Sequence, residues 1–244
     1  MEIMKATVRQ AMLLAAGRGE RLRPLTDQCP KPLLKVKGAP LLVHHLDKLE
    51  QAGFQQVVIN LGWLGEQIPI ALSAYLTNQC FRALRVIYSP EPPGALETAG
   101  GIRHALSHFN AEPFVLISSD VLTDIDYTHL MQWNHKSKVQ LILVDNPPHH
   151  PEGDFILDHP WVASKEPSDL KQSTLTYSGL GTFCPSLFES LSPGHRPLRP
   201  ILEDAIKRRE VLGHHYNGHW MDVGSVERLE KAQQLPWINS FSSP

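Results

Sequence analysis

Short apolar runs alternate along the chain with longer stretches in which apolar residues recur every three or four positions. Runs at residues 11–16, 56–60, 84–88, 114–117 and 139–144 have the length and composition of strands buried on both faces. The stretches between them predict helices. Leu41, Leu42, Leu46 and Leu49 share one face before a stop at Gly53, and Leu64, Ile68, Leu72 and Leu76 form a second stripe with Pro69 near its first turn. Further helices are predicted over 98–109 and, shorter, over 127–134. Strand and helix alternating in this way mark a parallel sheet with crossover helices. The rhythm breaks at residues 145–170, dense in Pro, His and Asp, where prolines forbid a central strand. This part reads as long loops around a short strand near 155–157. Strands resume at 175–183 and 211–216, with helices at 200–208 and 226–234 and a frayed tail over 239–244. The expected fold is a single α/β domain over 1–244, its first half (about 1–125) a Rossmann-like, mostly parallel sheet flanked by helices. The second half (about 126–238) is expected to insert an irregular, partly antiparallel lobe.

Composition narrows the possibilities. A 244-residue chain with 42% hydrophobic residues can bury a real core. Its net charge of −2 offers no footprint for nucleic acid or an anionic membrane, so any cationic site must be local. No run reaches the ~18 apolar residues of a membrane span, and the N-terminus has no apolar signal region, which predicts a cytoplasmic protein. Cys29, Cys80 and Cys184 are scattered, which argues against a disulfide framework or a zinc site and suits a reducing compartment. Histidines come as neighbours (His44-His45, His149-His150, His214-His215), and neighbours do not share a face, so no histidine metal centre is expected. Nothing in the sequence fixes the oligomeric state.

The candidate chemistry begins where the first strand ends. The chain turns on Gly17 and Gly19, and four cations, Arg18, Arg21, Arg23 and Lys31, follow. Glycines let backbone N–H groups approach an anion closely, and fixed cations beside them are what a triphosphate needs at the carboxyl end of a sheet. The glycine pair alone describes a tight surface turn equally well. In doubly wound sheets ligands gather at strand carboxyl ends, and the loops after the first, third and fourth strands carry Gly17, Glu91 and Asp120. Asp120 follows an apolar strand directly, where a carboxylate can ligate Mg²⁺ or simply cap a turn.

The stretch from Leu14 to Thr26, LAAGRGERLRPLT, followed by Pro30-Lys31-Pro32-Leu33, resembles the signature of the sugar-1-phosphate nucleotidyltransferases, both halves in order. Only Glu20 departs from the commonest form of the loop. The resemblance implies the nucleotide-diphospho-sugar transferase fold and transfer of a nucleotidyl group to a sugar 1-phosphate with release of pyrophosphate. It implies that Leu14, Ala15, Ala16, Gly17 and Gly19 bind nucleotide, while Arg21 and Lys31 bind phosphates and catalyse. Leu96, Glu97, Thr98 and Gly100 in YSPEPPGALETAGG match the family's base-and-sugar loop with one extra residue near Pro93-Gly94, which assigns Leu96 and Thr98 to the nucleotide and leaves Glu91 as base-facing candidate. Asp120 in Ser118-Ser119-Asp120 stands where relatives carry Gly-Asp. Asp222 in Trp220-Met221-Asp222-Val223-Gly224-Ser225 matches the segment whose Asp completes the Mg²⁺ site. Residues 145–155 (DNPPHHPEGDF), with 60–65 and 177–181, resemble a narrower branch that takes UTP and N-acetylmuramate 1-phosphate. That likeness places Asn146, Asp154, Gly179 and Trp220 on the sugar phosphate. Lys165-Glu166-Pro167 reorders the usual Glu-Lys-Pro, making Lys165 a weak candidate for the same task. Mannose 1-phosphate with GTP and glucose 1-phosphate with dTTP or UTP remain alternatives. So do a nucleotide-binding regulatory module without turnover, for which Ser119 in place of Gly speaks, and a dinucleotide-dependent oxidoreductase lacking the third glycine.

Overall fold

The structure, a computed structural model, describes residues 6–77, 83–165 and 173–238. Cys80, Glu166, Pro167 and the 239–244 tail lie outside the described residues. The parallel half comprises β1 (Gln10–Leu14), β2 (Gln56–Leu61), β3 (Arg85–Pro90) and β4 (Phe114–Ser118), with α1 (Leu41–Ala52), α2 (Gln67–Thr77) and α3 (Glu97–Ala105) as crossovers. A short β5 (Val121–Thr123) follows, then β6 (Val139–Val144), β7 (Phe155–Asp158), β8 (Trp161–Ser164), β9 (Thr174–Phe183), α4 (Leu198–Lys207), β10 (Val211–His215), β11 (Trp220–Asp222) and α5 (Val226–Ala232). One nine-stranded sheet runs in the order β6-β10-β8-β7-β9-β4-β1-β2-β3. β1 pairs in parallel with β2 and β4, and β2 with β3. β9 then runs antiparallel to β4 and also pairs with β6 and β7, so the second half of the sheet curls back on itself.

Successive strand residues point to opposite faces, which is why continuous apolar runs are needed here. Ala11 and Leu13, Val57 and Ile59, Val115 and Ile117 pack under α1 and α2, against Leu42, Leu46, Leu49, Ile68 and Leu72. Met12, Val58, Phe114 and Leu116 face the other way, onto Ile102 of α3 and Leu202 and Ile206 of α4. Gly53 ends α1 in the left-handed conformation at φ 85°, donating to the Leu49 and Glu50 carbonyls as a glycine C-cap does. No helix among the described residues is long and apolar enough to cross a membrane.

Two expectations need correcting, and one pairing has no counterpart in the sequence pattern. Residues 127–134 are not one helix: a 3-10 turn, Tyr127–Met131, gives way to Gln132–Trp133, which pairs with Ala6–Thr7. The proline-rich region holds a hairpin, β7–β8, where only one strand is expected from the pattern. β5 and β11, of three residues each, pair antiparallel with Asp222 opposite Val121. Segments so short carry no periodicity, and what stabilises them is a partner about a hundred residues away in sequence.

Candidate active site

The loops after β1, β3 and β4 enclose a cavity of about 600 Å³ lined by residues 14–21, Lys31, Asn60, Glu91, residues 95–98, residues 118–120 and Gly224. Leu14, Ala15, Ala16, Gly17, Gly19, Arg21, Lys31, Glu91, Leu96 and Thr98 are therefore together. The N–H groups of Gly17, Arg18 and Gly19 find no acceptor among the described residues, so this turn presents free donors to an anion. Gly19 needs its glycine: φ is 66°, and an added Cβ would sit 3.1 Å from both Lys31 Cβ and Thr26 Cγ2. Thr26, fully buried, locks the turn by donating its hydroxyl to the Gly19 carbonyl at 2.9 Å.

The four cations divide. Arg18 is held by Asp27 at 2.6 Å and by the Thr26 carbonyl, with its guanidinium 3.7 Å over the Trp63 ring. Arg23 also pairs with Asp27, at 3.0 Å. The hydrogen bond from Arg18 holds the Asp27 carboxyl below its usual range. Lys31 Nζ meets Asp120 Oδ2 at 2.5 Å. Arg21, by contrast, has no hydrogen-bond or ion-pair partner among the described residues and is exposed in the cleft. A guanidinium left uncommitted beside free N–H donors is a ready partner for phosphate.

The sequence marks Asn60 only as part of the 60–65 segment and gives it no role in the site. Its Oδ1 accepts from the Ala15 N–H and its Nδ2 donates to Glu91 Oε1, both at 2.7 Å, so one buried amide ties the phosphate turn to the β3 loop. The available signal was a lone amide ending an otherwise apolar strand. Burial pushes the Glu91 carboxyl up, with Asn60 pulling the other way. Its Oε1 lies against α3 where a Cβ on Gly101 would come within 2.5 Å, which explains the second glycine of that helix.

A second cavity, about 370 Å³, is lined by Arg21, Ser118, Asp120, Val121, Pro147, His149, His150, residues 176–179, Trp220 and Asp222. Arg21, Ser118 and Asp120 line both cavities, so these are adjoining compartments of one cleft. The β5–β11 pairing delivers Asp222 here: Val223 N–H donates to the Asp120 carbonyl at 2.7 Å. Asp222 Oδ2 pairs with Arg228 Nη2 at 3.0 Å, a residue the sequence reading passed over. Asp222 Oδ1 has His149 Nε2 at 3.0 Å, outside hydrogen-bonding geometry, and is buried without a hydrogen bond. Among the described residues no three His, Cys, Asp or Glu side chains gather as a metal site. Two carboxylates, one with a buried oxygen that accepts no hydrogen bond, nevertheless suit a hard cation that takes its remaining ligands from water and phosphate.

Gly179 and Trp220 line this compartment, and Trp220 Nε1 donates to the Ser178 carbonyl at 2.9 Å, fixing the ring. Asn146 and Asp154 do not line it. Asn146 is committed to Thr174, Thr176 and the Pro151 carbonyl. Asp154 accepts from Tyr177 N–H at 2.8 Å and meets His150 Nε2 at 3.1 Å, so both residues shape the 146–154 loop. Lys165 Nζ donates to the Glu152 carbonyl on the same loop. Ser119 keeps the turn intact without glycine: it lies outside the left-handed region, and its N–H and hydroxyl both donate to the Leu14 carbonyl.

The sequence profile described as Nucleotidyl transferase matches residues 10–157. N-acetylmuramate alpha-1-phosphate uridylyltransferase of Neisseria meningitidis serogroup B is 47% identical over 235 residues, covering 93% of this chain and 97% of that protein. Mannose-1-phosphate guanylyltransferase catalytic subunit beta of Drosophila pseudoobscura pseudoobscura is 28% identical over 225 residues, 88% of this chain and 59% of the relative. The solved inositol-1-phosphate CTP transferase of T. maritima superposes with a TM-score of 0.72 at 19% identity, over 95% of this chain and 98% of the other, a likeness of fold.

Proposed function

The chain belongs to the nucleotidyl transferase family and is a sugar-1-phosphate nucleotidyltransferase, and from that premise we propose that it transfers the uridylyl group of UTP to N-acetylmuramate 1-phosphate. The observation that carries this is the shared wall of the two compartments: Arg21 and Asp120 belong to both, so nucleotide and acceptor meet at one point. Similarity along nearly the whole of the Neisseria uridylyltransferase supports the acceptor and the base over the guanylyl alternative, whose relative is matched more weakly. Family membership removes the oxidoreductase reading, and the intact Ser119 turn removes the reason for proposing an inactive module.

The acceptor's phosphate oxygen attacks the α-phosphorus of UTP. The new O–P bond forms as the bond between the α-phosphorus and its bridging oxygen breaks, and that oxygen leaves with the electron pair on pyrophosphate. The attacking oxygen is already anionic, so no general base is required, and catalysis consists of positioning and charge neutralisation. Free N–H groups at Gly17, Arg18 and Gly19 cradle the triphosphate, and Arg21 clamps it with a planar fork. Lys31, once its ion pair with Asp120 loosens, meets the α-phosphate as a point charge. Asn60 holds the two nucleotide loops in register. Asp120 and Asp222 would hold Mg²⁺, which supplies further neutralisation of the triphosphate.

The test is a matrix of four nucleoside triphosphates against N-acetylmuramate, N-acetylglucosamine, glucose and mannose 1-phosphates, following pyrophosphate. UTP with N-acetylmuramate 1-phosphate is expected to lead by at least about tenfold in kcat/KM, about 1.4 kcal/mol. A lead for mannose 1-phosphate with GTP, or for glucose 1-phosphate with dTTP, overturns the substrate and leaves the reaction class standing.

A further inference from the structure

N-acetylmuramate differs from N-acetylglucosamine by one group, a lactyl ether ending in a carboxylate, and a site selective for it must answer that charge. The acceptor compartment holds two carboxylates of its own, Asp120 and Asp222, which repel it. The lining side chains able to carry a positive charge, Arg21, His149 and His150, are therefore the ones to consider. Arg21 lies on the phosphate side, with Nη2 close enough to Gly224 that an added Cβ there would come within 3.1 Å. Arg199, nearby in the fold, is spent on Glu203 at 2.8 Å and stacks over Phe155. What remains is the histidine pair on the proline-rich loop, His149 and His150.

We propose that His150, with His149 beside it, recognises the acceptor's lactyl carboxylate and sets the enzyme's preference for N-acetylmuramate 1-phosphate over N-acetylglucosamine 1-phosphate. This rests on the acceptor reading given above. The loop is built to hold the pair in place. Its turns close through His150 N–H to the Pro147 carbonyl at 2.9 Å and Gly153 N–H to the His150 carbonyl. Gly153 sits at φ 60° with Asn146 Oδ1 only 2.5 Å from where a Cβ would be, so Asn146 and Gly153 together pin the loop onto β9. Asp154, itself anchored by Tyr177 N–H, takes His150 Nε2 at 3.1 Å. That leaves Nδ1 of His150 without a partner among the described residues, as is Nδ1 of His149, and both side chains are a little over a third exposed. With Nε2–H given to the Asp154 carboxylate, Nδ1 is the open position, and a ring carrying its second proton presents there a directed N–H and a counter-charge for the lactyl carboxylate. Such a site rejects a substrate lacking the matching group more sharply than an apolar slot does, because its donor is left unpaired. Asn146 and Asp154 then act as positioning residues for the histidines.

The experiment measures kcat/KM with UTP for three acceptors: N-acetylmuramate 1-phosphate, its lactyl amide and N-acetylglucosamine 1-phosphate. Wild type, His150→Leu, His150→Asn, His149→Leu and the double His149→Leu/His150→Leu variant are compared. Wild type is expected to discriminate against both the amide and the glucosamine compound. His150→Leu should lower that discrimination at least tenfold, mainly through KM for the muramate compound, and the double variant should lower it further. His150→Asn, which keeps a donor near the place of Nδ1, should recover part of it. A wild type that does not prefer the muramate compound overturns the acceptor reading itself. A wild type that prefers it, with the ratio unmoved in both His150→Leu and the double variant, overturns the histidine assignment alone. Equal use of acid and amide by wild type shows that the lactyl group is read by shape and also overturns the assignment.

Discussion

Single residues divide into those whose role follows from chemical type and those whose role follows from place. Arg21 and Asp120 are legible as sequence because a cation after a glycine turn and a carboxylate after an apolar strand each have a short list of uses. Arg228 is not, and Asn60 and His149 are marked only as parts of segments resembling a narrower branch, since an amide, an arginine or a histidine acquires its role from what the fold sets against it. Asn60→Ala removes both ties between the Ala15 N–H and Glu91, leaving a buried donor unpaired. The expected result is about 1–3 kcal/mol lower stability in urea unfolding and a KM for UTP raised several-fold. His45 is fully buried against the Tyr127 hydroxyl at 2.7 Å, and burial pushes its imidazole down to about 3. Because its folded pKa lies below the unfolded value near 6.5, the unfolded state binds the extra proton first as pH falls. Stability contributed by the neutral ring is thus full above about pH 6.5 and is lost progressively toward pH 3. Urea midpoints at pH 7 and pH 5 are expected to show a drop for wild type of up to about 2 kcal/mol from this group, and a smaller drop for His45→Gln.

At the scale of elements, the parallel half was readable because strands buried on both faces and helices with one apolar stripe leave period and length in the sequence. β7–β8, β5 and β11 left almost none, yet β11 is what carries Trp220 and Asp222 into the cleft. The crossing of β9 over the end of β4 depends on Gly179, which has φ 80° and would place a Cβ 2.8 Å from Ser118 Oγ. Gly179→Ala is expected to cost about 1–3 kcal/mol of stability from backbone strain alone. It should also lower kcat/KM for the sugar phosphate more than for UTP, because the strand it displaces walls the acceptor compartment. An unchanged melting temperature in that variant would mean the strand gives way without cost.

In the whole molecule, one continuous sheet places the proposed nucleotide compartment beside the proposed acceptor compartment, which is built largely from the curled half, and the two share Arg21, Ser118 and Asp120. Net charge is near zero, so the positive potential that meets the triphosphate comes from where a few cations are held. Asp222→Asn is expected to abolish turnover and weaken activation by Mg²⁺, with EDTA doing the same to wild type reversibly. Full activity in EDTA would remove the metal from the account. The central claim is that neutralisation of phosphate charge by Arg21 and Lys31 drives the reaction. It is tested most directly by initial rates of pyrophosphate release from UTP and the acceptor in Arg21→Ala and Lys31→Ala. Each is expected to lose about 10²-fold or more in kcat/KM, Arg21→Ala with an unchanged melting temperature, and wild-type rates in either variant would contradict it.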